Sequence, residues 1–144
     1  MQNNDTIELL KECDQGVKMG IDAIDDIMPR VDDRELEKIL SNYKTRHEEL
    51  KDELAAIMKE AGVPADEPNI MAVGMSKLKT NFKMMMEDSD RTVADLMTDG
   101  CDMGIKSLTK YLNQYESAEE KVKDITKKII RVESDFEEDL KKYL

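Results

Sequence analysis

Four stretches of this chain place an apolar side chain at every third or fourth residue, and that spacing constrains the fold more than any other feature. The first runs Ile7, Leu10, Cys13, Val17, Ile21, Ile24 and Met28, and Pro29 closes it. The second runs Leu36, Leu40, Tyr43, His47, Leu50, Leu54 and Ile57, ending at Gly62 and Pro64. The third carries Val93, Leu96, Met97, Cys101, Gly104, Ile105, Leu108, Leu112 and Tyr115; the fourth carries Val122, Ile125, Ile129, Val132, Phe136, Leu140 and Tyr143. A 3.6-residue period gives each stretch one apolar face, so each reads as an amphipathic helix that must bury that face against others. Asp32 with Glu35, and Ser117 with Glu120, have the spacing of capping boxes at the starts of the second and fourth helices. Residues 62–69, GVPADEPN, read as a connection, and Met71, Leu78, Phe82, Met85 and Met86 predict a shorter helix over 70–86. The EDSDR segment from Glu87 to Arg91 is a break with several candidate caps. No alternating pattern competes as a strand, so the expected fold is all-α: one antiparallel four-helix bundle over residues 1–144, with a long crossover containing a short extra helix.

Composition narrows the function. The 144 residues include 33 Asp and Glu against 22 Lys and Arg, a formal charge of −11. That balance leaves no basic excess to neutralise phosphates or anionic headgroups, so neither nucleic acid nor a membrane surface is expected as a partner. The first twenty residues lack a basic stretch followed by an apolar one, and no apolar run reaches bilayer length, so a cytoplasmic protein is expected. Two cysteines, Cys13 and Cys101, make neither a disulfide framework nor a four-thiolate zinc site. One histidine, His47, limits metal and relay chemistry further. There is no glycine-rich phosphate loop, no Gly-x-Ser-x-Gly turn and no Cys-x-x-Cys.

The chain also repeats itself. Cys13-Asp14-Gln15-Gly16-Val17-Lys18 and Cys101-Asp102-Met103-Gly104-Ile105-Lys106 share the pattern C-D-x-G-(V/I)-K. In the second helix of each pair, Arg46-His47-Glu48-Glu49 matches Asp135-Phe136-Glu137-Glu138 at almost the same separation. Two similar helix pairs joined by one long connection give a bundle with pseudo-twofold symmetry, the ferritin-like arrangement. The Cys-x-x-Gly starts, the Arg46-His47-x-x-Leu50 segment and the Ser76-to-Lys79 segment resemble bacterial ferritin-like domains of unknown function. The resemblance spans nearly the whole chain and implies self-association, such as a homodimer, along exposed helix faces.

A di-iron bundle takes one Glu from each of two helices and a Glu-x-x-His from each of the other two, the spacing putting both ligands on one inward face. Here the second-helix motif reads Lys44-x-x-His47 and the fourth-helix motif Glu133-x-x-Phe136. The resemblance sets the remaining two carboxylates just after the glycines, where this chain has Val17 and Ile105. Two of six ligands survive, and Lys44 adds positive charge where iron needs negative. A dinuclear site of the usual kind is therefore not expected; His47 and Glu133 are the candidates if a metal binds.

A Lys44–Glu133 ion pair with His47 nearby is one expectation for the surviving groups; both ends reaching solvent is the other. For His47 the simpler reading is a neutral core histidine between Tyr43 and Leu50, and the sharper one a ligand for a weakly held metal or haem. Glu48, Glu49 and Asp52 fall on the solvated face. Cys13 and Cys101 read as small buried packing residues before a redox pair. Gly16 and Gly104, each costing about 1 kcal/mol relative to Ala within a helix, suggest close backbone approach. The Met84-Met85-Met86 run reads as gap-filling beneath the crossover.

The expected function is thus a non-catalytic bundle that has lost its di-iron centre, with a structural or protein-interaction role and no cofactor. The alternative is a non-haem iron protein of iron handling or oxidative-stress defence using a reduced or rearranged site.

Overall fold

The computed structural model describes residues 3–65 and 89–144. Four α-helices account for most of them: α1 (Asn4–Ile27), α2 (Arg34–Ala61), α3 (Asp90–Gln114) and α4 (Glu120–Leu140). Short 3-10 turns follow α1 (Met28–Arg30) and α4 (Lys141–Tyr143). There is no strand among the described residues. The expected crossover helix over 70–86, with the Met84–Met86 run and the Ser76–Lys79 segment, lies outside them.

Local chemistry explains the helix ends. Asn3 accepts the Thr6 amide at 2.8 Å and Ser89 accepts the Thr92 amide at 3.2 Å, satisfying donors that an α-helix leaves free in its first turn. Pro29 has no amide to continue α1 and sits in the 3-10 turn. Gly62 ends α2 at φ 73°, a left-handed conformation that favours glycine. Two expected caps are displaced. The N-cap of α2 is Asp33, which accepts the Leu36 amide at 3.0 Å, rather than Asp32. Glu119, the N-cap of α4, makes no side-chain cap. The turn before α4 is held instead by the start of α1: Asp5 accepts the Ser117 amide at 3.0 Å and Thr6 Oγ1 the Glu119 amide at 2.9 Å.

These ties fix the topology. The start of α1 lies at the α3–α4 turn, where Asn3 Nδ2 also donates to the Ser117 carbonyl at 2.9 Å. At the opposite end Asp90, the first residue of α3, accepts the amides of Asp32 and Asp33 at 3.0 and 3.1 Å, and the Tyr143 hydroxyl donates to Asp33 at 2.7 Å. Hence α1 and α4 run one way, α2 and α3 the other. The end of α2 and the start of α3 lie at opposite ends of the bundle, which is the up-down-down-up order expected of two hairpins joined by one long crossover.

The core is aliphatic. Leu9, Leu10, Ile24, Leu36, Leu40, Leu54, Val93, Val122 and Leu140 are wholly shielded, with Phe136 the largest side chain among the fully buried. Each helix contributes the face that its apolar period marks out, and the closest packing is within the two hairpins. Among the described residues, no helix is long and apolar enough to cross a membrane.

Candidate functional site

The centre of the bundle holds a polar group. His47, on the inner face of α2, is 1% exposed. Its Nε2 is hydrogen-bonded to Oε1 of Glu133 on α4, and its Nδ1 lies 2.6 Å from the carbonyl oxygen of Tyr43, one turn earlier. Both ring nitrogens are thus engaged, which fits an imidazolium donating two hydrogen bonds. Burial pushes the imidazolium towards its neutral form, but the hydrogen bond and charge of Glu133, with the Tyr43 carbonyl, outweigh it. The His47 pKa stands above its ordinary 6.5. His47 is buried as its stripe predicts, and its ring is hydrogen-bonded to a carboxylate rather than surrounded by apolar neighbours alone.

The surroundings lock this ring. Phe136 meets it edge-on at a centroid separation of 6.3 Å and stacks on Tyr43 at 4.4 Å. On the α1 side the chain passes so close that a methyl group on Gly20 would sit 2.9 Å from His47 Cδ2 and 3.1 Å from Nε2. Gly20 is the residue that sequence reading missed. The signal was present, since an imidazole inside a bundle displaces more volume than the aliphatic residues around it and a glycine on the facing helix makes room.

The remaining candidates scatter. Lys44 does not meet Glu133: its Nζ lies 2.6 Å from Asp25 Oδ1, on the partly exposed outer edge between α1 and α2. Lysine one turn before His47 points away from the centre, so the expected Lys44–Glu133 pair gives way to His47–Glu133. Val17 is buried at 1% and Phe136 at 1%. Ile105, expected inside, is only partly buried. Gly104, one residue earlier, faces α4 instead, where a methyl group would lie 3.7 Å from Glu133 Oε2. The cysteines do not pair with one another. Cys13 Sγ lies 3.1 Å from Thr126 Oγ1, and burial pushes its thiol up to about 12. Burial also raises Cys101, and the nearby Glu133 carboxylate adds to the shift. Neither forms a reactive thiolate at neutral pH.

The close backbone approach expected at Gly16 and Gly104 occurs at Gly20. Around Gly16 and Gly100 there is nothing within 4 Å of where a side chain would start. They line a cleft of about 320 Å³ between α1 and α3, whose floor is His47, Glu133, Ile129 and Phe136. Glu133 is the connection between that cleft and the interior, its side chain being 14% exposed.

A carboxylate-bridged metal pair needs several convergent donors. Among the described residues no group of three or more His, Cys, Asp or Glu side chains is arranged to hold a metal ion. The arrangement present instead does two things: it pairs a buried histidine with a carboxylate, and it leaves that carboxylate in part exposed at the cleft.

The fold has a counterpart among solved structures. It is similar to a DUF305 fragment from Deinococcus radiodurans. The superposition covers 97% of this chain and 95% of that one, with a TM-score of 0.76 at 12% identity. At that identity the likeness concerns the fold alone. No family model and no curated protein matches the sequence.

Proposed function

We propose that this chain is a non-catalytic, ferritin-like bundle whose di-iron positions have passed to apolar packing and a single internal ion pair, leaving a structural or protein-interaction role. The observation that carries this reading is the His47–Glu133 pair. The two side chains that could ligate a metal are bonded to each other, and the second imidazole nitrogen is bonded to the Tyr43 carbonyl. Val17 and Phe136 fill two of the remaining positions with hydrocarbon, and Lys44 carries its charge outward to Asp25. A pair of this kind fixes helix rotation as a bridging metal does, because any other rotation strands a charge in the core. Two unpaired, buried thiols suit a reducing cytoplasm. Self-association along an exposed helix face accompanies this reading.

Metal analysis tests it directly. Protein purified without chelator, incubated anaerobically with ferrous iron and desalted, is expected to carry no stoichiometric metal. Near-stoichiometric iron that disappears in His47→Ala would overturn the proposal in favour of an iron-handling or oxidative-defence protein with a rearranged site.

A further inference from the structure

The cleft between α1 and α3 has the makings of a ligand site. At about 320 Å³ it falls at the lower end of the size range of small-molecule pockets, roughly 300–1,000 Å³. Its walls are mainly hydrocarbon and thioether, with Met19 on one side and Met97 and Leu108 on the other. Side chains at Gly16 and Gly100 would project into it, and there is room for them. Helix-interior glycines cost stability relative to alanine, so the space is kept open against local preference.

The charged groups inside are mainly acidic, apart from the His47 ring that Glu133 holds. Glu133 forms part of the floor and Glu12 part of the wall, whereas no Lys or Arg lines the cleft. Oε1 of Glu133 is engaged by His47, while Oε2 lies on the side facing Gly104. A carboxylate oxygen accepts more than one hydrogen bond, so this face has capacity for a further donor. Glu12 lies beside Tyr111, whose phenol is raised by burial and by that carboxylate. An incoming anion would meet two carboxylates offset only by the His47 ring, which Glu133 already engages, and a wholly apolar molecule would leave the Glu133 carboxylate with no donor beyond His47 and the weak Cys101 thiol.

We propose that this cleft binds a small primary ammonium compound with an apolar body: the ammonium donates to Glu133, and the hydrocarbon lies between Met19 and Met97 over Ile129. The assignment rests on the metal-free reading, because His47 and Glu133, the two candidate metal ligands, form the floor of the cleft; metal analysis of the same protein distinguishes failure of that reading from failure of this one.

Hexylamine, hexanol and sodium hexanoate share a hydrocarbon tail and differ in the head group, so they separate the alternatives. Calorimetric titration of the full chain at pH 7 is expected to show saturable binding of hexylammonium, at least tenfold weaker binding of hexanol, and none of hexanoate. Glu133→Gln is expected to weaken hexylammonium by tenfold or more and leave hexanol unchanged. Because Glu133 also supports His47, Gly16→Leu provides a second test: it fills open space, keeps the ion pair, and is expected to abolish binding of both ligands while the helical circular dichroism is unchanged. Saturation with hexylammonium is further expected to lower the His47 pKa followed by NMR, since a second cation shares the same carboxylate. Equal binding of hexanoate and hexylammonium, no binding of hexylammonium to the wild-type chain, or undiminished binding in Gly16→Leu would overturn the proposal.

Discussion

The two hairpins share a short sequence repeat and are unequal in structure. Where the repeat matches α2 with α4, the matched residues meet. Arg46 on α2 reaches Asp135 on α4 at 3.3 Å, and His47 faces the ring of Phe136. Residues related by a twofold axis touch one another only where the axis passes between them, so the pseudo-axis of the bundle runs between α2 and α4 at this level. One turn away the equivalence ends. Glu133 turns inward to His47, while its match, Lys44, turns outward to Asp25. The first helices of the two hairpins differ in the same way, since Gly20 of α1 is pressed against His47 but its match on α3 is the bulky Leu108. The lesson is that a duplicated bundle can relieve an inward charge by asymmetry. One hairpin supplies the base and the space for it; the other supplies the acid and the aromatic lid.

Substitutions at matched positions are ways to break that comparison. The largest effect is expected from Phe136→Ala, which removes the aromatic contact to both Tyr43 and His47 and opens a cavity. About 3–5 kcal/mol should be lost in urea denaturation. A loss below about 1 kcal/mol would mean that the second hairpin does not close the core as described. Next, His47→Ala leaves Glu133 without its partner and should cost about 3 kcal/mol, whereas Lys44→Ala should change stability by less than about 0.5 kcal/mol. Equal effects at 44 and 47 would restore the symmetric reading and contradict the structure.

The glycines sharpen the comparison at smaller scale. Gly20→Ala forces a locked, buried ring to move and should cost about 1–3 kcal/mol. By contrast, Gly16→Ala meets nothing and should stabilise the chain by about 0.5–1 kcal/mol, through the gain in helix propensity. Thermal melts of the two variants, four residues apart on one helix, should therefore shift in opposite directions.

The smallest effect expected is a dependence on pH. The His47 pKa in the folded state lies above its ordinary 6.5, so its stabilising contribution is fully present below pH 6.5 and fades as pH rises through the higher folded value. Denaturation midpoints measured upward from pH 6.5 should show this decline, and Glu133→Gln should remove it. An NMR titration of His47 that gave a pKa below 6.5 in the wild-type chain would contradict the ion pair.

Much of this was legible in the sequence because it depends on the period of the chain and on local chemistry. The 3.6-residue spacing marks four helices and their inner faces, Pro29 and Gly62 mark two ends, and the single long interval between the hairpins marks the up-down-down-up order. Caps were read less well. Ser117 and Glu120 have capping-box spacing, yet the turn they occupy is held by Asp5 and Thr6 from more than a hundred residues away. Helix rotation was legible only to about one position, which is why Ile105 was expected inward where Gly104 stands. A rotation of 100° per residue turns that small uncertainty into a different set of central side chains.

By itself, the sequence determined the extent and the apolar faces of the four described helices. Tertiary structure decided who pairs with whom: that Glu133 belongs to His47 and Lys44 to Asp25, that Gly20 carries the close approach, and that Gly16 and Gly100 border open space. The reason is physical. Helix formation depends on neighbours within a turn or two of the same chain, whereas the choice of partner for a buried charge depends on which groups four packed helices bring within a few ångströms of it.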